Sequence, residues 1–254
     1  MAQGPHEIRW KSPLQGGLAV VTGAGSGIGR AIALELASWG VTCCLVGRDN
    51  TKLQDVARLT KETGVESIPL PLDLGDPETP AAVGRKVRSL GRPVELLVHS
   101  AAVMKFSRVA DSHVREFREL LAVNLLAPFA ITKQLLSDIC ATRGQIVFVN
   151  SSIVNHPGPG TVQYAASKHA LKGFADGLRQ EVNADGVRVI SVYPGRTATP
   201  LQASLCEIEG RTYAPRELLQ PEDVAEIVVR ALALPHTAEV TDIVIRPASK
   251  PKAN

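Results

Sequence analysis

Tyr164 and Lys168 stand four residues apart in Y-A-A-S-K, a spacing that puts both side chains on one face of a helix. An isolated phenol titrates near a pKa of about 10, too high for proton transfer at neutrality, but an ammonium beside it favours phenolate. The pair therefore reads as a general acid/base, with Lys168 expected to lower the Tyr164 pKa. Y-x-x-x-K alone is common on solvated helices. Here apolar ALKGFADGL follows it, and two serines, Ser151 and Ser152, close an apolar run shortly before it. A second chemical feature is TGAGSGIG, residues 22–29, with four glycines in eight residues. Glycine costs roughly 0.5–1 kcal/mol relative to alanine in regular structure, so such a run marks backbone that closely approaches something or takes positive φ. It closes the apolar LAVV and opens the helical pattern RAIALELASWG. A pyrophosphate there would meet free N–H groups and the positive end of a helix dipole. The spacing is T-G-x-x-x-G-x-G rather than G-x-G-x-x-G.

Short apolar, β-branched runs recur: LAVVT (18–22), VTCCLV (41–46), SIPLPL (67–72), VELLVHS (94–100), QIVFVNS (145–151), VRVISVY (187–193) and DIVIR (242–246). Between most of them lie stretches of helical period, the longest being VREFRELLAVNLLAPFAITKQLLSDIC, and Gly40, Gly64, Gly91 and Gly186 sit where helices stop. Strand and helix in alternation require a parallel sheet with helices on both faces, and strands apolar throughout agree with burial on both sides. The fold class is α/β: one Rossmann-type, doubly wound parallel sheet of about seven strands over 17–250, after an irregular leader at 1–16. Ligands of such sheets bind beyond the carboxyl ends of the strands, where the tyrosine-bearing segment and the glycine turn both fall.

The bulk properties exclude other classes. The chain has 254 residues, 44% hydrophobic and 21% charged, and a formal net charge of +3 with no block of five like charges, which argues against a nucleic-acid or lipid-surface partner. The first residues lack the apolar core of a signal peptide, so a cytoplasmic location is expected. The longest apolar run, Leu120 to Ile131, is interrupted by Asn124 and Pro128, so no membrane span is expected. Cys43, Cys44, Cys140 and Cys206 form no C-x-x-C and read as buried free thiols, and no metal site is expected.

TGAGSGIG, Asn124, the serine pair, Y-A-A-S-K and P-G-R-T-A-T after the sixth strand together resemble the short-chain dehydrogenase/reductase family, in its subgroup of about 250 residues, from Leu18 to Pro247. The resemblance implies that Tyr164 gives a proton to a carbonyl oxygen during reduction, that Ser152 hydrogen-bonds that oxygen, that Lys168 holds the nicotinamide ribose, and that Asn124 completes a proton relay through water. Ser152 precedes Tyr164 by 12 residues where 13 is usual, so the assignment over Ser151 supposes a loop, IVNHPGPGTVQ, one residue shorter. Thr22, Gly23, Ser26, Gly27, Ile28 and Gly29 are implied in cofactor binding, with Ala101 after the fourth strand and Pro194, Gly195 and Thr199 after the sixth. His99-Ser100-Ala101-Ala102 replaces the family's N-N-A-G. Gly47 stands where an acidic residue would select NAD, and Arg48 follows it. A guanidinium can grip a 2′-phosphate, so NADP(H) is the expected cofactor, with Asp73 on the adenine side. Residues 196–220 fall at the family's substrate lid, whose Arg196, Arg211 and Arg216 either hold a substrate carboxylate or are simply solvated. The expected substrate is a small carbonyl compound or the corresponding alcohol. The alternatives are a 3-oxoacyl thioester reductase and a regulatory protein that binds NADP(H) without turnover. A homo-oligomer, tetramer or dimer, is implied, built on the long helix and the Tyr164 helix.

Overall fold

Side chains of the central strands alternate into two separate cores, which is why those strands read as unbroken apolar runs. Ala19 and Val21 enter one, Leu18 and Val20 the other, and Cys43 and Cys44 divide likewise. The computed structural model describes residues 14–249; residues 1–13 of the expected leader, and residue 250, lie outside them. The strands are β1 (Leu18–Thr22), β2 (Thr42–Gly47), β3 (Ile68–Pro71), β4 (Leu96–His99), β5 (Gln145–Val149), β6 (Arg188–Pro194) and β7 (Asp242–Ile245). All neighbours are parallel, in the order β3-β2-β1-β4-β5-β6-β7. Strand order reverses between β1 and β4, the crevice where a doubly wound sheet opens for a ligand.

The helices are α1 (Gly27–Ser38), α2 (Asn50–Glu62), α3 (Thr79–Arg88), α4 (Val114–Leu121), α5 (Ala127–Thr142), α6 (Val162–Val182), α7 (Pro200–Ile208) and α8 (Pro221–Leu232). Gly40, Gly64, Gly91 and Gly186 all have positive φ, as expected of helix stops, whereas α5 ends on Arg143 in the left-handed region, φ 49°.

The long helix expected from Val114 onward is divided by a π-helical turn, Ala122–Leu126, between α4 and α5. Pro128 explains the break: it has no N–H for the Asn124 carbonyl four residues back, and its ring crowds that carbonyl, so the helix widens there. Taken together, Val114–Thr142 is long and apolar enough, by length and composition alone, to cross a membrane, a test that the core helix of a sheet protein also passes. Here the sheet takes up much of its apolar side: Ala127, Ile131, Leu135 and Ile139 are buried in the second core.

Candidate active site

The glycine turn is built for close approach. A Cβ on Gly23, whose φ is +68°, would come within 2.8 Å of the Ala101 backbone, and one on Gly29 would collide with the Gly23 carbonyl. Thr22 lies behind this turn and locks it to the next strand: its Oγ1 accepts from Ser100 N at 3.1 Å and Ala101 N at 3.3 Å and donates to the Val98 carbonyl at 3.4 Å. Ser26 is the N-cap of α1, yet its side chain makes no capping bond, and the first turn carries no acidic residue. The first-turn N–H groups and a hydroxyl are thus left for an anion at the cleft wall. Thr199, the N-cap of α7, backs onto Gly27, whose added Cβ would lie 3.0 Å from its methyl.

At the end of β2, Gly47 and the exposed Arg48 line the same cleft. Arg48 makes no ion pair among the described residues. The adjacent Asp49 is committed to α2, accepting from Lys52 N at 3.2 Å and pairing with the Lys52 ammonium at 3.4 Å. Asp73 also lines the cleft and accepts from Gly75 N at 2.9 Å.

Helix α6 carries Tyr164 and Lys168, both buried. Ser151, rather than Ser152, is the serine whose side chain lies close enough to the Tyr164 hydroxyl to pull its pKa down. Ser151 also precedes Tyr164 by 13 residues (164 − 151), the usual spacing, so it competes with the expected Ser152 without a shortened loop. Ser151 Oγ accepts from Ile153 N at 3.2 Å, while Ser152 opens the following 3-10 turn, and both line the cleft. The expected lowering of the Tyr164 pKa by Lys168 is not found. Burial pushes the phenol up to about 12, with nearby Ser151 pulling it partly back down. Lys168 Nζ is 5.9 Å from the ring centroid and donates to the Val149 carbonyl at 3.0 Å; burial pulls its own pKa down to about 8. Desolvation of the phenolate wins because the cation is turned toward a carbonyl.

Asn124 is fully buried and does not line the cleft. Its Nδ2 donates to the Val103 carbonyl at 2.9 Å and to Ser167 Oγ at 3.1 Å, and its Oδ1 accepts from Val103 N at 2.9 Å. Ser167 in turn donates to the Tyr164 carbonyl at 2.8 Å. Asn124 thus ties the segment after β4 to the Tyr164 helix. Sequence reasoning overlooked Ser167 and also Asn150, whose Nδ2 donates to the Lys168 carbonyl at 3.1 Å. Both sit inside stretches that were already singled out, beside Lys168 and before Ser151.

His99 is buried, stacks on Phe148 at 5.0 Å, and places Nε2 2.9 Å from Thr132 Oγ1. Burial depresses its pKa to about 3. The folded protein keeps it neutral while the unfolded chain binds a proton below the ordinary value of about 6.5, so its stability contribution is full above that pH and shrinks as pH falls toward about 3. Between about pH 7 and about pH 5 the wild type should lose about 2 kcal/mol more than His99→Gln in denaturant unfolding. Equal losses would show that His99 titrates normally.

Beyond β6 the chain leaves at Arg196–Ala198 and returns at Leu219, closed by Leu219 N to the Arg196 carbonyl at 3.1 Å and Ala198 N to the Leu219 carbonyl at 2.8 Å. This excursion, the expected lid, carries α7 and covers a cleft of about 550 Å³ that reaches from Arg48 to Glu209. Pro194, Gly195 and Thr199 line it, as do Ser26, Gly27, Ile28 and Ala101. The lid arginine on its wall, Arg196, is not free: both of its terminal nitrogens bond the Glu209 carboxylate at 2.8 Å.

A parallel sheet in this order, with a glycine turn at β1–α1 and buried Tyr164 and Lys168 on the same cleft, has the architecture of a dinucleotide-binding site. The chain matches the short chain dehydrogenase family over residues 17–209 and belongs to it. It is 32% identical over 254 residues to glycine betaine reductase ATRR of Emericella nidulans, covering 95% of this chain but only 19% of that protein. It is also 32% identical over 238 residues to an uncharacterized short-chain type dehydrogenase/reductase of Sinorhizobium fredii, covering 92% of each. Among solved structures, alcohol dehydrogenase from Thermococcus sibiricus, complexed with 5-hydroxy-NADP, superposes with a TM-score of 0.84 at 28% identity, covering 93% of this chain and 99% of that one.

Proposed function

We propose that this chain is an NADP(H)-dependent oxidoreductase that interconverts a small carbonyl compound and its secondary alcohol, with Tyr164 as general acid/base. The observation that carries the reading is the buried Tyr164 phenol, held beside Ser151 and Lys168 on the cleft wall. When bound, NADPH supplies the hydride. The chain's own residues supply the rest. The glycine turn and the uncapped start of α1 fit a pyrophosphate, because side chains at Gly23 and Gly29 would fill the space its backbone needs. Tyr164, kept protonated by burial, donates its proton to the oxygen on which negative charge grows, and Ser151 donates a second hydrogen bond to that oxygen. Lys168 keeps a positive charge near the phenol, and Asn124 acts as a positioning residue for the Tyr164 helix and the π turn, which is also where a water relay would run. A homo-oligomer would cover Leu126 and Phe129, exposed on the π turn and α5; a monomer in light scattering would count against it.

NADP(H) is favoured because Arg48 is exposed and unpaired at the end of β2 while Asp49 is spent on α2. In a fluorescence titration the wild type should prefer NADPH over NADH, and Arg48→Ala should reduce that preference by about tenfold or more, since a charge-assisted bidentate bond is lost. Equal binding of NADH, or an unchanged preference in the variant, would remove Arg48 from this role. A regulatory protein without turnover has no use for a buried phenol beside Ser151 and Lys168, and none of the described cleft residues favours a carrier-bound thioester over a free ketone.

A further inference from the structure

The lid end of the cleft is mostly apolar: Met104, Ile153, Leu201 and Leu205 line it with Gln202 and His156. Among the described residues, the lysines and arginines on the cleft wall are Arg48, Lys52, Lys168 and Arg196. Arg48 and Lys52 belong to the end of β2 and the start of α2, and Lys168 is turned to the Val149 carbonyl. Arg196 alone could meet a substrate carboxylate at the lid. Its guanidinium is clamped in bidentate fashion by Glu209. Glu209 is only 15% exposed and lines the cleft, so an incoming carboxylate would meet a fixed carboxylate beside a neutralised cation. Arg211, 3.6 Å from the same carboxylate, is largely in solvent and off the wall.

We infer that Glu209, by cancelling Arg196 at the lid, makes the substrate end of the cleft selective for uncharged carbonyl compounds and against keto acids. The inference rests on the carbonyl-reductase reading above for the site itself, but charge selectivity can be read by binding alone. Specificity here is an act of rejection as much as of attraction, since the Glu209 carboxylate repels what Arg196 would otherwise attract.

The test uses levulinate and its methyl ester, two ketones that differ by one charge, titrated calorimetrically into the full protein saturated with NADP+. Wild type should bind the ester in preference to the acid. Glu209→Gln, which leaves Arg196 charged and unpaired, should shift the ratio toward levulinate by at least about tenfold. Arg196→Leu/Glu209→Leu, which removes both charges, should restore the preference for the ester. Wild type binding levulinate as tightly as the ester would overturn the inference. So would a ratio that Glu209→Gln leaves unmoved, as when the substitution only loosens the lid, or levulinate failing to bind the variant at all. If the binding ratios behave as expected but neither ketone is reduced with NADPH, charge selectivity stands and the carbonyl-reductase reading fails.

Discussion

Tyr164→Phe is expected to lower carbonyl reduction by roughly 10²- to 10⁴-fold while leaving NADPH binding within about twofold of wild type. The substitution deletes one hydroxyl and keeps the ring that packs in the buried site, so the lost group is the proton donor itself. Its protonation state favours that role. Burial holds the phenol up to about 12, so at neutral pH the donor is loaded without help from a neighbouring charge. Steady-state rates with a reactive neutral ketone, beside a nucleotide titration of the same variant, separate chemistry from cofactor binding. A variant that retains most of its rate would place the proton source elsewhere.

The second large effect distinguishes two adjacent serines. Ser151→Ala should reduce turnover by about 10²- to 10³-fold, the usual cost of one donor to a developing oxyanion, whereas Ser152→Ala should cost less than about tenfold. Both serines line the cleft, but it is Ser151 whose side chain acts on the Tyr164 titration. The reverse order of effects would reinstate Ser152 as the partner of the carbonyl oxygen.

Most of the architecture could be read before any coordinates because parallel strands buried on both faces leave uninterrupted apolar runs, and each of the seven was located within two residues at either end. The glycine turn was legible for a related reason: only glycine tolerates what Gly23 and Gly29 must do. The choice between the two serines was not legible because a pair of identical residues carries no periodic signal, and it depends on which side chain leaves β5 toward α6. The Tyr164 titration was misjudged because sequence shows that Lys168 shares a face with Tyr164 but not that its ammonium turns to the Val149 carbonyl, nor how dry the site is. The structural use of Asn124 was hidden too, since its bonds to Val103 and Ser167 span segments far apart in sequence. The lid pairing of Arg196 with Glu209 depends on how the segment around α7 folds back, which composition leaves open.

In the proposed reaction Tyr164 and Ser151 complete a hydride transfer that begins on NADPH. The most direct measurement uses NADPH carrying deuterium at its transferable position, incubated with a neutral ketone and either wild type or Tyr164→Phe, with the alcohol product analysed by mass spectrometry. Deuterium is expected on the carbinol carbon with wild type and almost none with the variant, although the variant still binds NADPH. Unlabelled alcohol from wild type, or equal labelling by both proteins, would contradict it.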